Sequence, residues 1–579
     1  MDIQGIIEKS FQRTQFEPLG FGEAPLPFAL PQVRYDRLEV EGALLEYLSQ
    51  EAFRSIAFYT RSSHLRLLAQ RLEDPELSEN DRLVIRALLR NALIAAQGKL
   101  PLCQDTGTAT ILGWKDESVR TGADDGALLS RGAERAYREN RLRSSQTAPL
   151  SLFEEYDTKN NLPAQIHIES VPDGPSGSRY RFLFVAKGGG SSNKTSLFQM
   201  SKALLETAPF EAFLMEKIEA LGTAACPPYR LAMVVGGTSP EENLGILKLA
   251  TTELLDSAPA FSPGESEEEA RRLGWIRRDP RGEKRMMDLA VQSGLGAQFG
   301  GSALALDARL IRLPRHGGSC PVSIGLSCSA HRNLLVEINK NGVFLEKLER
   351  NPVQFLKELG GTAKEVAEDW EASQTGRGKR RQIEFPRKTA TLQLDAPMEN
   401  ILIQLSQFPV GSRISLSGPL LVARDAAHLR WHRLIAQGKA LPDYLRQHPI
   451  YYAGPSETPE GKVIGSFGPT TAQRMDGYAE ELMSRGIALV TLAKGNRSPR
   501  WAEACKKYGG FYLGTIGGAA ALIAEENILS SEILEYPDLG MEAVRKIWVQ
   551  DLLAFVITDN QGRDLYAPID RPLQRSRHR

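Results

Sequence analysis

The chain is poor in cysteine, with five among 579 residues, and Cys103, Cys226, Cys320, Cys328 and Cys505 form no CxxC pair. That scatter excludes a secreted disulfide scaffold and the paired-ligand pattern of structural zinc. Surplus charge of either sign is also lacking: Lys plus Arg and Asp plus Glu number 71 each. No overall field exists to hold nucleic acid or an anionic membrane, so any cationic pocket must be local. No apolar run approaches the roughly eighteen residues of a membrane span. The segment Met1 to Arg13, with Asp2, Glu8 and Lys9, has no signal-peptide core and does not read as a transit peptide, so a cytoplasmic location is expected. No internal repeat is found. What remains is the composition of a soluble globular protein, at a length that calls for two or three domains.

The prolines and glycines between Pro18 and Pro31 suggest an irregular leader over 1–34. Helical patterns follow over roughly 41–59, after Ser78-Glu79-Asn80-Asp81 (a candidate capping box), and over 126–142. Strands are expected at Gln165 to Val171, Tyr180 to Ala186 and Arg230 to Val235. The polar, basic stretch 361–388, with Arg377-Gly378-Lys379-Arg380-Arg381, reads as a linker or insertion between a first domain over 35–360 and a second over 389–569. The second alternates strand and helix, which predicts an α/β (α+β) architecture. A basic tail, 570–579, reads as solvated.

Chemistry-bearing groups are densest at Leu100-Pro101-Leu102-Cys103-Gln104-Asp105-Thr106-Gly107-Thr108-Ala109, where a helical pattern has ended and an apolar run begins. Loops in such places carry sites. Gly188-Gly189-Gly190-Ser191-Ser192-Asn193-Lys194-Thr195 imitates a P-loop but has Asn193 where the glycine before the lysine is needed, so amides and side chains holding another anion are the better reading. Cys226 and Cys320 are each followed by proline, which pushes the preceding residue toward an extended conformation. Two readings of Cys103, Cys226 and Cys320 stay open: buried packing residues, or three thiolates of a cubane iron–sulfur cluster with one iron free to act as a Lewis acid. Cys328 and Cys505 default to packing. Arg143, Lys194, Arg424, Arg474 and Lys494 stand near glycine turns, as recognition of a dianion would require. Asp105 and Thr470 are the proton-handling candidates, although the plainer reading of Thr470 is a helix N-cap.

Six blocks in order, Leu100 to Ala109, Ala186 to Thr195, Gly222 to Pro228, Leu313 to Pro321, Tyr451 to Glu457 with Gly468 to Ala472, and Leu492 to Ser498, closely resemble the class I, iron–sulfur fumarate hydratases. The likeness extends from about Tyr35 to Tyr566. It implies a homodimer holding a [4Fe-4S] cluster on Cys103, Cys226 and Cys320 and interconverting (S)-malate and fumarate. It further implies dicarboxylate contacts at Gln104, Asp105, Arg143, Gly190, Arg424, Arg474 and Lys494, and acid/base work at Asp105 and Thr470. An α-rich N-terminal domain with a sheet and a smaller C-terminal α/β domain are the implied fold. Tartrate or mesaconate hydro-lyases share the chemistry, and an inactive iron–sulfur sensor is the reading from another class. The chain departs from the family pattern at Leu306, where His is usual before Asp, at His331, where Ser-Ala-Asp-Arg is usual, and in the basic stretch near 360–388.

Overall fold

The computed structural model describes residues 3–20, 28–174, 177–374 and 389–567. Its N-terminal part is layered, and strand periodicity explains the layers. A six-stranded sheet runs in the order Phe16–Pro18, Gly342–Glu346, Asn333–Asn339, Tyr180–Lys187, Thr108–Asp116, Gln165–Val171. A five-stranded sheet runs Ser196–Met200, Cys320–Ser327, Tyr229–Gly237, Ala305–Arg315, Arg277–Arg278. Because side chains alternate along a strand, Phe182 and Phe184 pack on the helices Gly42–Phe58 and Asp125–Glu139. Leu183 and Val185 point the other way and share a core with Ala232 and Val234 of the second sheet. The opposite face of that sheet, Leu231, Met233 and Val235, packs on the helices Thr207–Leu221 and Pro280–Gln292. Helices therefore cover both outer faces of a pair of stacked sheets.

The C-terminal part holds a seven-stranded sheet ordered Ala390–Gln393, Arg413–Val422, Ile450–Tyr451, Val490–Ala493, Phe511–Thr515, Val544–Thr558, Ile528–Glu535, its first five strands parallel. The strand Val544–Thr558 also pairs antiparallel with Arg413–Val422, so the sheet returns on itself. The largest hydrophobic core runs from Leu83 to Leu93 of the first part into Leu416, Leu492 and Phe555 of the second. The helix Glu79–Ala95 is common to both. Ser78 caps it by accepting from the Asp81 amide at 3.0 Å. The reciprocal half of the expected box is replaced: the Asp81 carboxylate accepts from the amides of Ala297 at 2.5 Å and Ser302 at 2.8 Å.

Regular structure occupies much of the described part of the leader expected to be irregular and the first half of the stretch read as a linker or insertion. Within 1–34, Ile3–Arg13 is a helix whose Ile6, Ile7 and Phe11 are buried in the core between the sheets, and Phe16–Pro18 adds an edge strand. The spacing i, i+3, i+4, i+8 from Ile3 was readable, but the prolines and glycines downstream dominated the reading. Within 361–388, Gly361–Gln374 is a helix that buries Ala363, Val366 and Ala367 against Glu79–Ala95; residues 375–388, and the tail from 568, lie outside the described residues.

Glu8 fastens the first helix, accepting from Arg179 at 2.7 Å and Arg181 at 2.9 Å. Burial would raise its carboxyl, yet the two arginines outweigh burial and hold it below the usual carboxylate range. A lowered carboxyl pKa contributes stability that is present above the unfolded value and lost as pH falls through the folded one. Glu8→Gln is therefore expected to cost up to about 1 kcal/mol near pH 7. Thermal melts should show that difference from the parent shrinking as the pH is taken below about 4.

Candidate active site

Residues 100–109 leave the shared helix under tight backbone control. The Leu102 amide donates to the Ala57 carbonyl at 2.8 Å, and Asn91 Nδ2 donates to the Leu102 carbonyl at 2.9 Å. This fixes the direction in which the next three side chains leave. Cys103 points into the interior. Gln104 reaches the C-terminal part, donating from Nε2 to the Pro469 carbonyl at 3.1 Å, where Ser466 Oγ also donates to the Pro101 carbonyl at 2.5 Å. The approach is close enough that a Cβ on Gly468 would lie 2.5 Å from Gln104 Oε1. Asp105 turns toward the glycine turn, accepting from the Gly189 amide at 2.9 Å and from the Gly107 amide at 3.2 Å. A Cβ on Gly188 would stand 2.7 Å from its Oδ2. The turn that imitates a P-loop thus holds one of the chain's own carboxylates.

A cavity of about 1050 Å³ opens above this floor. Gln104, Asp105, Gly190 and Thr470 line it, together with the cations Arg143, Arg424, Arg474 and Lys494. Arg424 and Arg143 converge on one oxygen of Glu542, at 3.1 and 3.5 Å. Burial, then the like charge of Arg424, pulls the Arg143 guanidinium down to about 10. Arg474 donates from Nε to Asp425 at 2.9 Å and from Nη1 to Thr470 Oγ1 at 3.4 Å. Burial opposes ionisation of Asp105, but Arg143, Arg332 and Lys494 prevail and hold its carboxyl below the usual range. A buried carboxylate facing several cations is the electrostatic signature of a site that receives anions.

Lys494 joins this cavity to the thiols, its Nζ standing 2.8 Å from Cys226 Sγ. Cys226 lies within electrostatic reach of both Cys103 and Cys328, and the buried Arg332 acts on Cys103, Cys328 and Asp105 together. The Ser329 amide donates to the Cys226 carbonyl at 3.1 Å, tying the two cysteine loops directly. Gly517 keeps the space beside Cys226 free, since a Cβ there would lie 2.6 Å from the sulfur. Burial pushes the Cys103 thiol up to about 12 and the Cys226 thiol also upward, so both stay protonated near pH 7 unless a metal draws them into thiolates. Among the described residues no three His, Cys, Asp or Glu side chains converge as ligands of a single ion. An iron–sulfur cluster takes its thiolates on different irons, and this donor set fits that group.

The matching sequence families agree with this chemistry. The family model described as "Fumarate hydratase (Fumerase)" matches residues 46–337, and that described as "Fumarase C-terminus" matches 342–569. "Fumarate hydratase class I, aerobic" of Escherichia coli strain K12 is 47% identical over 92% of this chain and 91% of its own length. The chain belongs to the class I fumarate hydratase family. "Fumarate hydratase 2" of Leishmania major is 47% identical over 92% of this chain and 88% of its own. A shorter likeness, 29% identical over 29% of this chain and 88% of the relative, is to "Putative L(+)-tartrate dehydratase subunit beta" of Methanocaldococcus jannaschii. The family's reaction class is that of a hydro-lyase.

Of the expected site residues, Gln104, Asp105, Arg143, Gly190, Arg424, Thr470, Arg474 and Lys494 are brought together at this one cavity. Cys320 is not. It shares one strand face with Val322, Ile324 and Leu326, all buried in the core of the five-stranded sheet, and it lies within electrostatic reach of Arg312, two strands across that sheet. The residue that stands with Cys103 and Cys226 is Cys328, just past the end of that strand. The extended conformation expected before proline holds at Cys320, where the pleat turns the side chain inward, but not at Cys226, which takes a left-handed φ of 62°. Thr470 is no N-cap: the following helical turn is preceded by Thr471, which makes no side-chain cap. Lys194 donates to the Ala220 carbonyl, away from the cavity. Leu306 packs against the largest core. Glu542 and Arg332 were missed; no spacing in the sequence ties either to residues 100–109.

Proposed function

We propose that the chain catalyses the reversible hydration of fumarate to (S)-malate, with a [4Fe-4S] cluster held by Cys103, Cys226 and Cys328. One observation carries the reading: a buried carboxylate and several cations, Arg143, Arg424, Arg474 and Lys494 among them, line one cavity, and the contact of Lys494 with Cys226 joins that cavity to the buried thiols. When bound, such a cluster supplies an iron with no protein ligand, a Lewis acid for a substrate hydroxyl and its neighbouring carboxylate. The rest is work for side chains. Arg143 and Arg424, which share Glu542, receive one substrate carboxylate, and Arg474 with Lys494 receives the other, guanidinium favouring bidentate recognition. Asp105, held ionised by its cationic surroundings, exchanges the proton of the hydroxyl that adds or leaves. Thr470 faces the C3 proton. The charge of Arg474 beside its hydroxyl favours the deprotonated form that a base requires.

The same reading includes a homodimer, carried by the family resemblance, and a cytoplasmic location. None of the described helices is long and apolar enough to cross a membrane. The reading is tested by initial rates on fumarate, (S)-malate, tartrate and mesaconate with reconstituted enzyme. Fumarate and malate should exceed the other acids by at least about tenfold in kcat/KM, the discrimination that one extra group in a pocket supplies. Faster turnover of tartrate or mesaconate would replace the substrate while keeping the reaction type, and the partial likeness to a tartrate dehydratase subunit makes tartrate the sharper comparison.

A further inference from the structure

The loop Ser327–His331 carries Cys328 out of its strand, and the hydrogen bonds on either side of the cysteine come from two stacked histidines. His331 Nδ1 stands 3.0 Å from Ser327 Oγ, the residue before Cys328. His64 Nε2 stands 2.7 Å from the carbonyl of Ser329, the residue after it. The two imidazoles lie 5.3 Å apart between centroids at 26°, and both are buried. The His331 amide donates to the Cys328 carbonyl at 3.0 Å, which closes the turn and leaves His331 at a φ of 44°, a left-handed conformation that non-glycine residues seldom adopt.

The histidine pair is itself anchored. His331 Nε2 faces Arg61 Nη1 at 3.5 Å and Glu253 Oε1 at 3.7 Å. Arg61 is fixed by Glu346 at 2.6 Å and by Asn333, while Ser63 Oγ donates to Glu253 at 2.8 Å. Nothing in this network lines the substrate cavity. Its two side-chain contacts with the loop, His331 to Ser327 and His64 to Ser329, flank the residue that carries one thiol.

We propose that His331, stacked on His64, is a positioning residue for Cys328: it fixes the direction of that thiol toward the cluster and slows loss of the cluster without touching substrate. The inference rests on the cluster reading above. Outer contacts that orient a metal ligand are typically worth about 10- to 100-fold in metal retention, which sets the expected effect.

The test uses full-length enzyme, reconstituted without oxygen, and reads the rate at which visible iron–sulfur absorbance is lost to an iron chelator. His331→Leu keeps much of the ring's bulk and removes the bond to Ser327; it should lose the chromophore at least about tenfold faster. Turnover per bound cluster and KM should stay near the parent values. His331→Asn, whose amide can reach Ser327 Oγ, should restore most of the retention. Ser327→Ala removes the other end of the same bond and should speed loss in the same direction, which keeps the test open if His331→Leu folds poorly. Parental loss rates in both His331→Leu and Ser327→Ala would overturn the positioning role. Failure of the cluster reading is separately visible, because the parent would then take up no iron–sulfur chromophore, or Cys328→Ser would retain it.

Discussion

Cys328→Ser is expected to abolish the visible iron–sulfur absorbance and to lower turnover by at least about three powers of ten, since a Lewis-acid metal supplies several kcal/mol and each 1.4 kcal/mol is a factor of ten. Cys320→Ser should leave the chromophore and turnover per cluster intact. Its cost belongs to folding: a serine hydroxyl would be placed in a closed core at the end of the strand that holds Val322 and its cross-strand partner Val235, destabilising by about 1–3 kcal/mol. The pair separates ligation from packing, because a ligand loses its cofactor while a core residue loses thermal midpoint. The reverse outcome, chromophore lost with Cys320→Ser and kept with Cys328→Ser, would return the third ligand to the strand start. It would also require the strand Cys320–Ser327 to flip its pleat, turning Val322, Ile324 and Leu326 out of their core.

The difference between these two cysteines also marks what a single sequence can disclose. Residues 100–109, the glycine turn and the cationic positions were legible because each sits at an element boundary, where hydrogen-bonding groups are concentrated and periodicity stops. The thiol of Cys320 was not, since strand pleat and register decide which way a side chain points, and both are fixed by pairing with Ser196–Met200 and Tyr229–Gly237, far away in sequence. The first helix was written in the spacing of Ile3, Ile6, Ile7 and Phe11, but its stability comes from burial against the segment Leu254–Ser257, a tertiary partner that no local pattern announces. Glu542 and Arg332 are legible only in three dimensions for the same reason. His331 was visible as a departure from the family pattern, and its contact with Ser327 gives that departure a place.

Asp105→Asn should lower kcat by about 10² to 10⁴, the range that a positioned proton-transfer group contributes, while cluster absorbance stays at the parental level. KM should rise only modestly, because the carboxamide keeps the shape of the side chain and the four cations that receive the diacid are untouched. The local cost is specific. Asp105 accepts from two amides, Gly189 and Gly107, and an asparagine can offer its oxygen to only one while its NH₂ meets the other donor. Some loosening of the Gly188–Gly190 turn is therefore expected, appearing as a modest rise in KM rather than as the loss in kcat. The two effects separate in single-turnover measurements on saturated enzyme, where only the proton-transfer defect persists. If kcat survives within about tenfold, the proton work rests on Thr470 and its neighbour Arg474. Thr470→Val, which removes only the hydroxyl, would then carry the large loss. If both variants lose kcat to a similar extent, each handles a different proton, as adding water across a double bond requires: one proton belongs to the hydroxyl at one carbon, the other to the carbon beside it.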